Sequence, residues 1–192
     1  MNRIILASQS PRRAELLSKL GVNFETIPSN FEEHLDESKT PQAVAKELAF
    51  GKALDVARKN PDAYVIGSDT VVALGIRQME KPIDLNDARE MLTCLAGKDS
   101  IVTTGLAVVC IDKGIELLDE VTVHVFFKPN SDEIHELREA YLATGDWKDK
   151  AAGYGIQSGA GPLIDRIDGE YDAIVGLPTD LLRVMLSKLN LL

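Results

Sequence analysis

IILASQSPRRAELLSKL, residues 4–20, joins an apolar run to the start of a helix. The run from Ile4 to Ala7 is typical of a short buried strand. Ser10 suits the N-cap of a helix and Pro11 its first position, and the leucines that follow recur at helical spacing. A strand followed directly by a helix is the repeating unit of α/β proteins, so this stretch sets the expected fold class.

The rest of the chain continues the alternation of strands and helices. We predict strands at 3–8, 23–29 and 63–75, helices at 10–20, 41–60, 84–96 and 131–143, and a closing helix after residue 176. Residues 101–127 predict a β-hairpin, and Gly67-Ser68-Asp69 is expected to break the 63–75 strand in its middle. We therefore expect an α/β fold in one domain over residues 1–192, with an elongated mixed β-sheet flanked by helices.

Composition excludes several classes of function. The 192 residues are 45% hydrophobic and carry a net charge of −9, which argues against nucleic acid or an anionic membrane as a general partner. No apolar run approaches the roughly 18 residues of a membrane span, and the N-terminal residues are too polar for a secretory signal. Cys94 and Cys110 lie in apolar segments, and we interpret both as reduced core residues of a cytosolic protein.

Arg12 and Arg13 stand in the first turn of the predicted helix at 10–20. The helix dipole disfavours each cation there by about 0.3–1 kcal/mol. A bound phosphate would reverse that penalty, because free N–H groups and arginines together suit a polyanion. Alternatively, both side chains are solvated or paired with Glu15 and nearby acids. The sequence leaves both interpretations open.

Two acidic features raise the question of a metal. Glu32-Glu33 could hold a divalent cation or belong to a solvated loop, and we interpret the adjacent His34 as a surface residue because no second histidine lies nearby. Asp69 falls within an apolar run, where a buried charge would be costly unless it were paired or metal-bound. The alternative is that Asp69 simply belongs to a turn.

Two lysines complete the set of charged candidates. Lys52 interrupts an apolar stripe on the predicted 41–60 helix, so it either snorkels at the edge of the stripe or points into a cleft toward phosphate. Lys81 follows a second short strand, within reach of the rim that carries Asp69.

Together these side chains match the needs of phosphoryl chemistry, which combines cations with a hard, oxygen-ligated metal. The cations are Arg12, Arg13, Lys52 and Lys81, and the acids are Glu33 and Asp69. The chain has neither a Walker A motif nor a GxGxxG fingerprint, and no histidine stands at these positions to act as a base. A water activated by a carboxylate and a metal ion is the simplest mechanism that remains.

Five motifs, in their order and spacing, resemble the Maf (septum-formation-inhibitor-like) nucleotide pyrophosphatases. They are LASQSPRRAELL at 6–17, GSDTVV at 67–72, EKP at 80–82, KDKAAGYGIQ at 148–157 and IVGLP at 174–178. The resemblance implies the inosine-triphosphate-pyrophosphatase-like fold, with a cleft between two lobes. It also implies a cytoplasmic homodimer, a divalent cation such as Mg²⁺ or Mn²⁺, and hydrolysis of a nucleoside triphosphate to the monophosphate and pyrophosphate.

The resemblance also implies roles for individual residues. Asp69 matches the proton acceptor that activates water, and Glu33 together with Asp69 matches the metal position. Positions that contact the triphosphate are matched by Ser8, Arg13, Lys52 and Lys81. Positions that separate the branches of the family are matched by Arg12, Thr70 and Gln157, a combination that resembles the branch acting on dTTP and UTP. Ala152 stands where a glycine is common, which puts the loop before Gln157 in question.

Other functions are also open. Modified pyrimidine triphosphates are alternative substrates for the same chemistry. A different class of function is a nucleotide-binding regulator of cell division or septum formation in which catalysis is not essential. An Asp69→Asn variant separates enzyme from regulator, since a cellular phenotype that survives the loss of hydrolysis would have to depend on binding.

Overall fold

A computed structural model describes residues 2–33, 36 and 38–192, and a mixed β-sheet forms its centre. The strands are β1 (Ile4–Leu6), β2 (Glu25–Thr26), β3 (Tyr64–Leu74), β4 (Arg77–Met79), β5 (Asp99–Cys110), β6 (Ile115–Phe127) and β7 (Ile164–Asp168). The helices are α1 (Pro11–Ser18), α2 (Pro41–Ala57), α3 (Leu85–Leu95), α4 (Asp132–Thr144), α5 (Tyr171–Val175) and α6 (Thr179–Lys188). Among the helices of these described ranges, none is long and apolar enough to cross a membrane.

The sheet confirms the predicted fold class. Within the described residues it has seven strands in the order β2-β1-β3-β5-β6-β7, with β4 paired to β3. Strand β1 runs parallel to both β2 and β3, and every other pairing in the sheet is antiparallel. The predicted hairpin is present as β5 and β6, whose register pairs Asp99 with Phe126 at one end and Cys110 with Ile115 at the other. Because this hairpin is long, the sheet as a whole is mostly antiparallel.

The predicted break at Gly67-Ser68-Asp69 is wrong, since β3 runs through these residues without interruption. Its partner β5 stays in register across the segment, with Gly67 opposite Ala107 and Asp69 opposite Gly105. The buried Ser68 hydroxyl lies within hydrogen-bond distance of two backbone carbonyl oxygens, so its burial leaves no polar group unsatisfied. These three residues favour turns locally, but pairing with the long strand β5 keeps them in a strand.

Two glycines of the sheet bring α2 unusually close to it. A Cβ atom on Gly67 would lie 2.2 Å from the Ala49 carbonyl oxygen, and one on Gly105 would lie 2.1 Å from that of Ala45. Only glycine therefore allows the α2 backbone to rest directly on β3 and β5. This close approach places Lys52, on the next turn of α2, beside Asp69 of β3.

Among the described residues, the buried apolar side chains form four clusters, of which two are the largest. One holds α3 and α4 against one part of the sheet and includes Leu92 and Trp147. The other packs α1 and α6 against β1 and includes Leu17. Both cysteines are free thiols, and Cys110 is buried as predicted. Cys94 is only half-buried, because it stands on the flank of α3 rather than on the face that packs inward.

Candidate active site

A cleft of about 690 Å³ collects nearly all of the predicted site residues. It is lined by Arg12, Arg13, Glu33, Lys52, Asp69, Thr70, Lys81 and Gln157, which are spread over more than 140 positions of sequence, from residue 12 to residue 157. Ser8 does not line the cleft: it is buried, and its hydroxyl oxygen accepts a hydrogen bond from the Ser10 N–H at 3.1 Å. Ser8 therefore shapes the turn between β1 and α1. His34, interpreted from the sequence as a surface residue, lies outside the described residues.

The N-terminus of α1 is built as the sequence predicts. Ser10 is the N-cap, and its hydroxyl accepts from the Arg13 N–H at 3.4 Å, with Pro11 in the first turn. The cap leaves the two arginines of that turn with different surroundings.

Arg13 is turned inward and connects three parts of the chain. Its guanidinium donates to the carbonyl oxygens of Gly176 and Ser68, both at 2.8 Å, and to the Thr70 hydroxyl at 3.5 Å. Burial lowers the pKa of Arg13, while the nearby carboxylate of Asp69 opposes that shift. Arg13 is therefore held by protein oxygens, while Glu15 pairs with Lys19.

Arg12 lies at the mouth of the cleft instead. Its side chain is 38% exposed, and its Nη2 lies 3.9 Å from Oδ2 of Asp149, which also lines the cleft. Such a long, exposed ion pair contributes little to stability. Arg12 is therefore available to a ligand that enters the cleft.

Lys52 bridges the two carboxylates at the base of the cleft. Its ammonium donates to Oδ1 of Asp69 in a short hydrogen bond and lies 2.7 Å from Oε1 of Glu33. The side chains of Lys52 and Asp69 are only 12% and 8% exposed. Of the two interpretations of Lys52, the structure supports the lysine that points into a cleft.

The two carboxylates differ in their electrostatics. Burial raises the pKa of Asp69, although the charges of Lys52 and Arg13 oppose the shift. At Glu33, burial also acts to raise the pKa, but its hydrogen bond and ion pair with Lys52 prevail, so the net shift is downward. Glu33 is thus held as a carboxylate, while Asp69 has a stronger tendency to accept a proton.

A divalent cation fits these residues only with help from other ligands. Over the ranges that the structure describes, no group of three or more His, Cys, Asp or Glu side chains could hold a metal. Glu33 and Asp69 already converge on one cation, the ammonium of Lys52. Mg²⁺ is commonly bound by one or two carboxylates, with phosphate and water completing its shell, and this pair suits that arrangement.

Several residues that line the cleft were not among the predicted site residues. Lys150 is one: its side chain is 13% exposed, and its ammonium contacts the Asp149 carboxylate and the Asp146 carbonyl oxygen. Its place inside the KDKAAGYGIQ motif was the available signal. Val72 and Tyr154 belong to an apolar part of the cleft, and alternation along β3 from Thr70 would have pointed to Val72.

The backbone conformation at Ala152 is one that a glycine adopts more easily. It has φ 57° and ψ 14°, in the left-handed region that strains a residue with a side chain. The residue is buried, and its N–H donates to the Glu80 carbonyl oxygen at 2.9 Å. The strained backbone leads into the loop that presents Gln157 at the surface of the cleft.

The fold and the cleft together define an α/β protein. Several lysines and arginines line its cleft, which also contains the buried carboxylate of Asp69 paired with Lys52. The family of Maf-like proteins matches residues 3–189. A dTTP/UTP pyrophosphatase of Geotalea uraniireducens (strain Rf4) is 44% identical over 92% of this chain and 90% of its own length. One of Alkaliphilus metalliredigens (strain QYMF) is 42% identical over 98% and 96%. A probable bifunctional dTTP/UTP pyrophosphatase/methyltransferase protein of Homo sapiens is 41% identical over 92% of this chain, which spans 30% of that longer protein.

The chain belongs to the Maf family.

Proposed function

We propose that this protein is a nucleoside triphosphate pyrophosphatase that hydrolyses dTTP and UTP to the monophosphate and pyrophosphate. The observation that carries the proposal is the Lys52 bridge between Asp69 and Glu33 inside a cleft lined by further cations. Two relatives that are 42–44% identical to this chain over more than nine-tenths of its length are named dTTP/UTP pyrophosphatases. Their names support both the reaction and the substrates.

The charged part of the cleft suits a triphosphate. Lys52 and Lys81 present positive charge to a ligand there, and a partly buried site strengthens both interactions relative to water. Arg13 has already committed donors to three protein oxygens, so its main contribution is to fix Thr70 and the strand that carries Asp69.

Asp69 is the group proposed to accept the proton of the attacking water. Its burial-raised pKa makes it a better proton acceptor than an ordinary aspartate, provided that it is ionised in the active enzyme. Lys52 keeps that ionised form accessible by donating to its oxygen. A Mg²⁺ or Mn²⁺ ion held by Glu33 and Asp69 would supply charge stabilisation at the phosphate oxygens.

The base is proposed to lie toward Gln157 and the apolar part of the cleft. The Gln157 amide can both donate and accept, and Arg12 donates, so the pair suits the O2, N3–H and O4 edge of uracil or thymine. Val72 and Tyr154 offer apolar surface to the ring. The predicted homodimer and cytoplasmic location stay predictions, supported by the resemblance alone.

The test is pyrophosphate release from dTTP, UTP, CTP, ATP and GTP, each with Mg²⁺, with Mn²⁺ and with excess chelator. We expect kcat/KM for dTTP and UTP to exceed that of the other three by at least about tenfold, since a mismatched edge leaves buried polar groups unpaired. Chelator should abolish release, and either ion should restore it. If none of the five nucleotides is hydrolysed with either ion, the proposal is overturned.

A further inference from the structure

Tyr141 lies beneath the loop that carries Gln157, outside the cleft itself. It stands on α4, is 3% exposed, and is not one of the residues that line the cleft. Its hydroxyl oxygen accepts a hydrogen bond from the Gly155 N–H at 3.2 Å. A buried side chain of the cluster that packs α3 and α4 against the sheet thus reaches the backbone of a cleft-lining loop.

Gly155 is the first residue of a tight turn that presents Gln157. The Ser158 N–H donates to the Gly155 carbonyl oxygen at 3.0 Å, and the Ser158 hydroxyl lies 3.3 Å from the same oxygen. Ile156 and Gln157 are therefore the two central residues of a β-turn, and both line the cleft. Whatever fixes Gly155 also fixes the direction in which Gln157 leaves the backbone.

Two glycines of the loop lie next to other side chains, and one of them is closely packed. A Cβ atom on Gly155 would lie 2.2 Å from the Ser158 hydroxyl oxygen and 2.7 Å from Cε of Lys150. Gly159 has φ 92°, and a Cβ atom there would meet Cδ2 of the Tyr141 ring at 3.5 Å. The Tyr141 hydroxyl thus holds the first residue of the turn, and its ring lies next to the residue that follows the turn.

We infer that Tyr141 is a positioning residue for base recognition: its hydroxyl holds Gly155, and through this turn it sets the orientation in which Gln157 meets the base of the nucleotide. This inference rests on the proposed function. Removal of the hydroxyl alone would leave the Gly155 N–H without its partner and the turn free to reorient, while the ring keeps its packing.

A double-mutant cycle with Tyr141→Phe and Gln157→Ala tests the inference. For Tyr141→Phe we expect KM for dTTP to rise by about three- to tenfold, the effect of one hydrogen bond, with kcat nearly unchanged and a matching loss of preference for dTTP over CTP. In the Gln157→Ala background the same change should have almost no further effect, because the side chain that Tyr141 positions is gone. Equal effects of Tyr141→Phe in both backgrounds would show a merely structural role and overturn the inference.

Tyr64→Phe is the matched control. Tyr64 is also buried, and its hydroxyl lies 2.6 Å from the Lys113 ammonium, but it does not line the cleft or contact the turn. We expect Tyr64→Phe to leave KM unchanged, and amide hydrogen exchange at Gly155 to become faster only in Tyr141→Phe. If wild-type protein hydrolyses neither dTTP nor UTP, the proposed function fails; if wild type is active and Tyr141→Phe has wild-type KM and wild-type exchange, only this inference fails.

Discussion

Replacement of Arg13 by alanine is expected to lower the melting temperature by about 5–12 °C, which corresponds to about 2–4 kcal/mol in a chain of this size. The loss follows from the three hydrogen bonds of its guanidinium, which join α1 to β3 and to the turn at Gly176. Activity should fall as well, because the same bonds fix Thr70 and the backbone beside Asp69. Thermal unfolding and steady-state kinetics on the purified variant measure both effects.

Arg12→Ala is the matched control, because the two arginines are neighbours in the same helical turn. The Arg12 ion pair is 3.9 Å long and exposed, so its loss should leave the melting temperature nearly unchanged while it impairs nucleotide binding. Arg13→Lys should restore little of the lost stability, because one ammonium cannot reproduce the planar set of donors of a guanidinium. Equal melting temperatures for Arg13→Ala and Arg12→Ala would contradict the structural role of Arg13.

The second large effect is expected for Lys52→Met, which should reduce kcat/KM for dTTP at least about 10²-fold, as when one preorganised donor is removed from an active site. The replacement keeps the length of the side chain but leaves Asp69 and Glu33 without their shared cation. The variant should also be destabilised, and by an amount that depends on pH.

The sign of that pH dependence follows from Asp69. Burial already raises its pKa, and the loss of Lys52 removes the largest influence that opposes the shift. A carboxyl whose pKa is higher in the folded than in the unfolded state, where it is about 3.9, stabilises the fold when protonated and loses that contribution as pH rises through the folded pKa. The deficit in melting temperature of Lys52→Met should therefore be small near pH 5 and larger near pH 8.

Lys59→Met is the control for this pH series. Lys59 lies just beyond α2, is exposed, and pairs only with Asp55, at 3.2 Å, among the ion pairs seen in the described residues. Its replacement should change the melting temperature slightly, without a growing deficit toward pH 8. If the deficit in melting temperature of Lys52→Met stays constant from pH 5 to pH 8, then Lys52 does not stabilise a buried charge on Asp69.

Local signals in the sequence were sufficient for most of the fold. Ser10 was predicted as an N-cap, and its side chain accepts from the N–H three residues later. Asp84 and Ser131, the first residues of the predicted helices at 84–96 and 131–143, do the same. The β5–β6 hairpin followed from two apolar runs around a turn. Such features depend on residues close in sequence, which is why a single chain reveals them.

The errors arose where distant neighbours override local preference. Gly67-Ser68-Asp69 favours a turn by itself, but β5 holds it in a strand. Strand β7 lies in a glycine-rich segment that was not assigned to any strand, and it forms by pairing with β6. Pairing between strands that are distant in the chain produces no local pattern in the sequence from which it could be predicted.

The candidate site was predicted as a set of residues but not as a geometry. The sequence left two interpretations open for Lys52 and for the two arginines. The direction of the Lys52 side chain is shown by its hydrogen bond to Asp69, 17 positions away. The direction of the Arg13 side chain is shown by its hydrogen bond to Gly176, 163 positions away. The support that Tyr141 gives to the Gln157 loop is likewise a packing contact that no motif encodes.

The most direct test of the central claim is the product of dTTP hydrolysis, followed by ³¹P NMR for wild type and for Asp69→Asn. We predict that wild type yields dTMP and pyrophosphate in equal amounts, and that Asp69→Asn is slower by about 10²–10⁴-fold, as expected for loss of a general base. The variant should remain folded, because asparagine removes a buried charge while Lys52 keeps its contact with Glu33. Release of orthophosphate as the first product, or an Asp69→Asn variant with wild-type kcat, would contradict the account.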